Sequence, residues 1–286
     1  MARFLDPKAD LTFKKAFGEQ PRLPLTVAMD SVTNVLSVTN GNFVARYDMG
    51  RAVLSSLSVE DKELLYQAPI LNFSRALTDN DKQDKHGAAL WNNFLPGQFD
   101  RYVMVASYRV IDDYTVGIDA MIRFTDKTGR PLFDLQQTWA ILHTGDILLN
   151  SDVVVSDYVQ AVPRMGYRLL LDKKLSHIRW YGTEREAYAD RMLGLHTGLN
   201  AAHGDSIFHC YDRPQSAGNH LGTRWMVAED DAVGLYVDMT DSLFNFSVYP
   251  YSERNLSSCE SLRDLAAQSY RTLNLDYKMA GVGSAL

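Results

Sequence analysis

Three clusters in this sequence have residue types that could do chemistry. The first is Asp79-Asn80-Asp81 with Asp84, in and just after the stretch "NFSRALTDNDK". Oxygen-bearing side chains at alternate positions suit a calcium loop, in which the sixth position is glycine and the twelfth a bidentate Glu. Counted from Asp79, Gln83 falls at the fifth position, Asp84 takes the glycine's place and Leu90 stands where the Glu belongs. The stretch therefore reads as a turn whose Asx side chains bond their own backbone. The second cluster is His196, His203, His209 and His220 within "HTGLNAAHGDSIFHCYDRPQSAGNH". None has the H-x-x-x-H spacing of a helical zinc pair, so no metal site is expected. The third is Glu184, Glu186 and Asp190. Glycoside hydrolysis needs two carboxyl groups about 5 to 10 Å apart across the scissile bond, and these three are the candidates. Spacing alone does not bring any two of them together. The chain has no nucleophile elbow, phosphate-binding glycine loop or dinucleotide fingerprint.

Charge and composition exclude other classes. A net charge of -6 argues against nucleic acid as a partner, since such partners need a basic face. No apolar run approaches the roughly 18 residues of a membrane span, so no membrane association is expected. The opening "MARFLDPKADLTFKKAFGEQP" lacks the apolar core and cleavage site of a secretory signal. Cys210 and Cys259 form no disulfide framework and no C-x-x-C pattern, which fits a reducing compartment. The expected location is cytoplasmic.

Any site here must be carried on strands. In "YTVGIDAMIRF" Tyr114, Val116, Ile118, Ala120, Ile122 and Phe124 share one face, opposite Thr115, Gly117, Asp119 and Arg123. That alternation predicts a half-buried strand. "NFVARYD", "AVLSSLSV", "RYVMVASYRV", "LQQTWAIL", "DILLNSDVVVS", "MGYRLLL", "SHIRWYG", "VGLYVDM" and "LFNFSVYP" read likewise, with Asn40-Gly41, Thr128-Gly129, Thr144-Gly145 and Ala217-Gly218 as turns between strands. Trp139, Trp180 and Trp225 are assigned to the core rather than to a sugar platform. Leu256, Leu262 and Leu265 have helical spacing, which predicts one short helix over residues 253 to 269. Many short strands and few helices predict an all-β sandwich or barrel.

Six ordered stretches resemble the C-terminal domain of bacterial β-galactosidases of glycoside hydrolase family two. "ELLYQAPILNFSRALTDND" resembles a strand followed by N-F-x-R-A-P-x-D-N-D, and "VPRMGYRLLL" resembles L-P-R-x-G-x-x-x-x-L. "IRWYGTEREAYADR" is similar to W-Y-G-x-G-P-x-E-N-Y-x-D-R, and "YDRPQSAGNHLGTRW" to Y-x-x-P-Q-E-N-G-x-x-x-x-x-R-W. "FNFSVYPYSERNL" and "LNLDYKMAGVG" resemble the closing segments. The motif positions kept here are Arg75, Thr78, Asp79, Asn80 and Asp81, then Arg164, Trp180, Tyr181, Gly182, Glu186, Tyr188, Asp190 and Arg191, then Arg213, Pro214, Gln215, Arg224 and Trp225. Leu77 replaces the family proline, Gln83 stands where an opening glycine is expected, and Ser216-Ala217 replace Glu-Asn. The G-P step is missing from "WYGTEREAYADR".

The resemblance implies an antiparallel β super-sandwich, like that of galactose mutarotases, over residues 23–286. It implies that Arg75 and Thr78 to Asp81 form the lip of a substrate site, with Lys82 to Leu90 as a mobile loop, and not an acid and base. The family's catalytic glutamates and its magnesium and sodium sites belong to other domains, so the chain is expected to hold no catalytic residue, cofactor or metal. It ends where the family continues G-G-D-x-S-W, which reads as a truncation that weakens galactose binding below detection and leaves a strand edge free to self-associate. Expected partners are a β-galactoside, weakly if at all, and a separate barrel-bearing galactosidase chain. The alternative is a stand-alone mutarotase-like aldose epimerase with a facing His and carboxylate. Residues 1–22, with "FLDPKADLTFKKAFGEQP", resemble instead the start of a PD-(D/E)XK nuclease family transposase.

Overall fold

Strands make up nearly all the regular structure in the computed structural model, which describes residues 22–83, 91, 94, 97–240 and 242–283. The transposase-like opening, up to residue 21, lies outside the described residues, as do residues 84–90 of the expected loop. In chain order the elements are β1 (Thr26–Asp30), β2 (Val35–Thr39), β3 (Phe43–Asp48), β4 (Val53–Val59), β5 (Lys62–Glu63), β6 (Leu65–Asn72) and helix α1 (Asp79–Gln83). There follow β7 (Phe99–Asp112), β8 (Thr115–Asp126), β9 (Pro131–Leu142), β10 (Ile147–Val155), β11 (Arg164–Asp172), β12 (His177–Thr183) and β13 (Thr197–His203). The last are β14 (His220–Thr223), β15 (Trp225–Glu229), β16 (Gly234–Asp238), β17 (Phe244–Tyr249), helix α2 (Glu253–Ser258) and β18 (Tyr270–Met279).

These strands form four antiparallel sheets, ordered β1-β2-β3-β4-β5, β10-β9-β8-β7, β14-β17-β18-β11-β6 and β13-β12-β15-β16. One continuous apolar core runs through all four. The result is the all-β, antiparallel super-sandwich that the alternation and the resemblance predict. Strand β8 shows why: Val116, Ile118, Ala120, Ile122 and Phe124 are buried, while Met121 and Arg123 on the opposite face are exposed. Tight turns at Gly129 and Gly145 have φ of +85° and +83°, a region glycine enters without a Cβ clash. Trp139 and Trp180 lie in the core as assigned, each 3% exposed, whereas Trp225 is half-buried and stacks on Tyr236.

Three expectations change. The helix expected over residues 253 to 269 is only α2, capped by Ser252 Oγ on the Asn255 N–H, and a separate 3-10 turn at Leu262–Asp264. Cys259 between them is extended, and Leu262 is exposed, so no apolar stripe links the two pieces. The turn at Asp79-Asn80-Asp81 is the start of a helix. Finally, β18 is flanked by β17 and β11, so the last strand is interior and the outer strands of its sheet are β14 and β6.

Candidate functional site

The site begins where the chain leaves β6. Thr78 and Asp81 cap α1 reciprocally: Thr78 Oγ1 accepts from the Asp81 N–H at 3.1 Å, and Asp81 Oδ2 accepts from the Thr78 N–H at 2.8 Å. This is a capping box with Asp in the acidic position. The same carboxylate takes two bonds from Arg75, at 2.8 Å from Nη2 and 3.2 Å from Nε. Arg75 is 1% exposed and spends its other bonds on the carbonyls of Ala280 and Gly281, each at 2.9 Å. A buried guanidinium must be paired and hydrogen-bonded to be tolerated, and here two of its four bonds also fix backbone.

The segment after β18 is clasped from three further directions. Asn80 Nδ2 donates to the carbonyls of Val282 (2.9 Å) and Gly283 (3.0 Å). Asp190 accepts from the N–H groups of Val282 (3.2 Å) and Gly283 (2.7 Å). Arg191 Nη2 donates to the Gly283 carbonyl at 2.8 Å. Gly281 permits this approach, since a Cβ there would lie 2.5 Å from the Asp190 carboxylate. On the other side Gln215 Oε1 accepts from the Asp79 N–H at 3.0 Å. The Asp79 carboxylate meets Arg213 at 3.3 Å and Gln215 Nε2 at 3.5 Å. Pro214, between these two, is buried.

Together these pieces form a small, open cleft of about 90 Å³ lined by Thr78, Asp79, Asn80, Glu186, Tyr188, Arg191, Tyr211, Gln215, Ser216 and Val282. Tyr188 is 4% exposed, and its Oη lies near the Glu186 carboxylate without a well-formed hydrogen bond to any described residue. Burial first, then the neighbouring Glu186 carboxylate, push the Tyr188 phenol well above the usual range, and the same two causes raise Tyr211. Asp79 and Glu186 are acceptors, Arg191 and the amides are donors, and the Tyr211 ring supplies an apolar face.

Other motif residues lie elsewhere. Arg164 is buried and pairs with Asp276 at 2.9 Å and Glu253 at 3.3 Å, while Tyr249 Oη donates to Glu253. Burial alone would lower the Arg164 value, but Asp276 and Glu253 outweigh it. Burial raises Asp276 to about 6 against the pull of Arg164. Trp180 donates its Nε1–H to the Thr183 carbonyl at 2.8 Å, and Gly182 sits where a Cβ would come within 2.8 Å of Thr223 Oγ1. Tyr181 and Arg224 meet on the outer face of their sheet, the guanidinium carbon 5.0 Å from the ring centroid, and Tyr181 pairs in register with Trp225. None of these residues lines the cleft. Glu184 lies 3.9 Å from Arg185. Tyr211, Val282 and the buried acids Glu253 and Asp276 went unmarked as site residues, although Tyr211 lies inside the "YDRPQ" motif.

Among the described residues no histidine lines the cleft. His220 is buried against Phe246 and Trp180, with ring centroids 5.0 and 4.6 Å apart, and burial lowers it to about 4. His203 and Asp205, 3.7 Å apart, are both half-exposed, and Arg271 holds Asp205 at 2.7 Å. Among the described residues no group of three or more His, Cys, Asp or Glu side chains could hold a metal ion. No helix among them is long and apolar enough to cross a membrane.

Residues 39–286 match the family described as beta galactosidase small chain. This chain belongs to that family. It is 25% identical to a beta-galactosidase small subunit of Latilactobacillus sakei, over 91% of this small chain and 89% of that one. It is 26% identical to a beta-galactosidase of Actinobacillus pleuropneumoniae, over 87% of this chain but 24% of that protein, so it spans about a quarter of the longer relative. Among solved structures, a galactose 1-epimerase from Lactobacillus acidophilus NCFM aligns over 90% of this chain and 99% of its own, at 7% identity and a TM-score of 0.33. A likeness that low says nothing about chemistry.

Proposed function

We propose that this small chain is a non-catalytic part of a β-galactosidase of glycoside hydrolase family two and works by completing a larger, barrel-bearing chain. The observation that carries the reading is convergence. Motif residues from three distant stretches, Thr78 to Asn80, Glu186 to Arg191 and Gln215, meet Val282 in one cleft. Of the three carboxylates offered by spacing, Asp190 holds backbone N–H groups and Glu184 lies beside Arg185 outside the lining, which leaves Glu186 in the cleft with Asp79, itself tied to Arg213 and Gln215. Hydrolysis needs two free carboxyls on one bond, and this arrangement suits a wall better than an engine. The exposed apolar side chains of β7, among them Tyr102, Met104, Val105, Val110 and Ile111, offer a face for the larger chain, since an edge strand of this kind favours pairing. An aldose epimerase would need a histidine facing a carboxylate, and among the described residues the cleft lining includes no histidine.

The test uses nitrophenyl β-galactoside. The purified chain alone is expected to give no hydrolysis above background. Mixed with the separately purified large chain of a two-chain β-galactosidase, it is expected to co-elute and raise activity. Turnover by the chain alone that disappears in Glu184→Gln or Glu186→Gln overturns the reading, as does failure to form any complex.

A further inference from the structure

We infer that the face of β11 and β18 turned away from the main core, where it meets the outer strand β6, binds a carboxylate carried on an apolar or aromatic body. The inference goes beyond the proposed function and uses no residue of the cleft. It begins with the arginines of β11 and β18. Arg164 holds Asp276 at 2.9 Å, and Arg271 holds Asp205 at 2.7 Å. Arg168 is half-buried and its Nη1 is fully buried, yet among the described residues it has neither an ion pair nor a hydrogen bond. A guanidinium drawn out of water without a counter-charge keeps its desolvation cost, so an anion that reaches Arg168 removes a standing penalty.

The surroundings narrow the anion. In the antiparallel register Arg168 lies opposite Asn274 on β18 and Ile70 on β6, with Leu170 opposite Thr272 and Asp172 opposite Tyr270. Side chains paired in this way share one face, and Leu169, Leu171 and Leu273 enter the core from the other. The polar neighbours are engaged elsewhere. Asn274 accepts from Asn72 and donates to Ser247 and Tyr249, while Asp172 accepts from the Lys174 N–H at 2.8 Å. Ile70, Leu170 and Tyr270 are half-buried and Tyr66 is 57% exposed, so the face opens towards β6. The Tyr66 and Tyr270 rings lie 4.8 Å apart. Burial raises the Tyr270 phenol, and a bond to Ser252 and the nearby Arg168 charge pull it back. A single guanidinium bordered by aliphatic side chains and two rings matches one negative charge on an apolar body. The fork takes a carboxylate through two parallel N–H groups, and the rings cover the rest of the ligand. A phosphate would bring more charge and more acceptors than one fork can meet.

The test is calorimetric titration of the full chain with phenylacetate, set against acetate, phenylacetamide and inorganic phosphate. An acetylated, amidated dipeptide of phenylalanine and aspartate presents the same chemistry on a polypeptide. Phenylacetate or the dipeptide is expected to saturate, roughly tenfold or more tightly than phenylacetamide or phosphate. The tighter of the two tells whether the carboxylate comes as a free acid or on a chain. Arg168→Gln should weaken both roughly tenfold or more, the scale of a lost hydrogen bond to a charged group. Tyr66→Ala should weaken phenylacetate about fivefold and leave the weaker binding of acetate unchanged. If Arg168→Gln fails to fold, the exposed Tyr66 decides through its variant. Absence of saturation by both phenylacetate and the dipeptide overturns the inference. So does binding that Arg168→Gln leaves unchanged, or phenylacetamide or phosphate binding as tightly as phenylacetate. A failure here leaves the partner reading standing, because no larger chain enters this test.

Discussion

Phe73 and Arg75 are two residues apart, both about 1% exposed, and their surroundings share almost nothing. Phe73 packs among the rings of Phe94, Phe99, Phe124 and Phe133 at centroid distances of 4.5 to 5.8 Å. Arg75 is held by the Asp81 carboxylate and by two backbone carbonyls from the far end of the chain. The first environment is non-directional, and any apolar group of similar volume satisfies much of it. The second depends on geometry, because a buried charge that loses its partner keeps its full desolvation cost. The sandwich is therefore a tolerant scaffold, and the end that carries the cleft is an intolerant one.

The largest expected effect breaks the buried charge network of Arg164, whose Glu253 also accepts from the Ala76 N–H at 3.1 Å beside Arg75. Arg164→Leu leaves Asp276 and Glu253 buried without their cation, and should lower the denaturant-derived stability by about 3–5 kcal/mol. A loss under about 1 kcal/mol in a urea titration would put this network on the tolerant side.

Next comes a titratable group placed in the tolerant region. His220 is buried neutral, with its folded value near 4 against 6.5 when exposed. The unfolded chain therefore takes up a proton first as pH falls. The contribution of neutral His220 is complete above pH 6.5 and is lost between 6.5 and 4, by up to about 3 kcal/mol. Urea midpoints from pH 7 to 4 should fall more steeply in the parent than in His220→Gln. Parallel curves would mean that water or a neighbour already compensates the ring.

A smaller effect sharpens the other side. Phe73→Leu keeps an apolar side chain of comparable volume and should cost only about 1–1.5 kcal/mol. A loss matching that of Arg164→Leu would erase the contrast.

Much of the sandwich is legible because its cause is local. Period-two alternation in β8 and β9 follows directly from burial of one face, and glycine marks the turns. Strand β13, "TGLNAAH", escapes because Gly198, Asn200 and Ala202 are weak strand formers at a half-buried sheet edge. The capping box at Thr78 and Asp81 was within reach, since a hydroxyl followed three residues later by an acid is a known helix start; the neighbouring Asx residues favoured a turn. The clasp is a different case. Asp190 reaches residues 92 and 93 positions away, and no period or spacing announces such a contact. The resemblance marked Asp190 and Arg191 without saying what they hold.

That clasp gives the most direct measurement. Asp190→Asn keeps the shape of the side chain but offers one acceptor oxygen where two now serve the N–H groups of Val282 and Gly283. Amide hydrogen exchange should speed up at these two residues by roughly tenfold or more, the scale of a lost charge-assisted bond. Protection at buried β8 amides such as Ile118 should not change. Val282 and Gly283 as protected as in the parent, or a loss of protection that spreads to β8, would contradict a cleft fixed by charge on an independently stable sandwich.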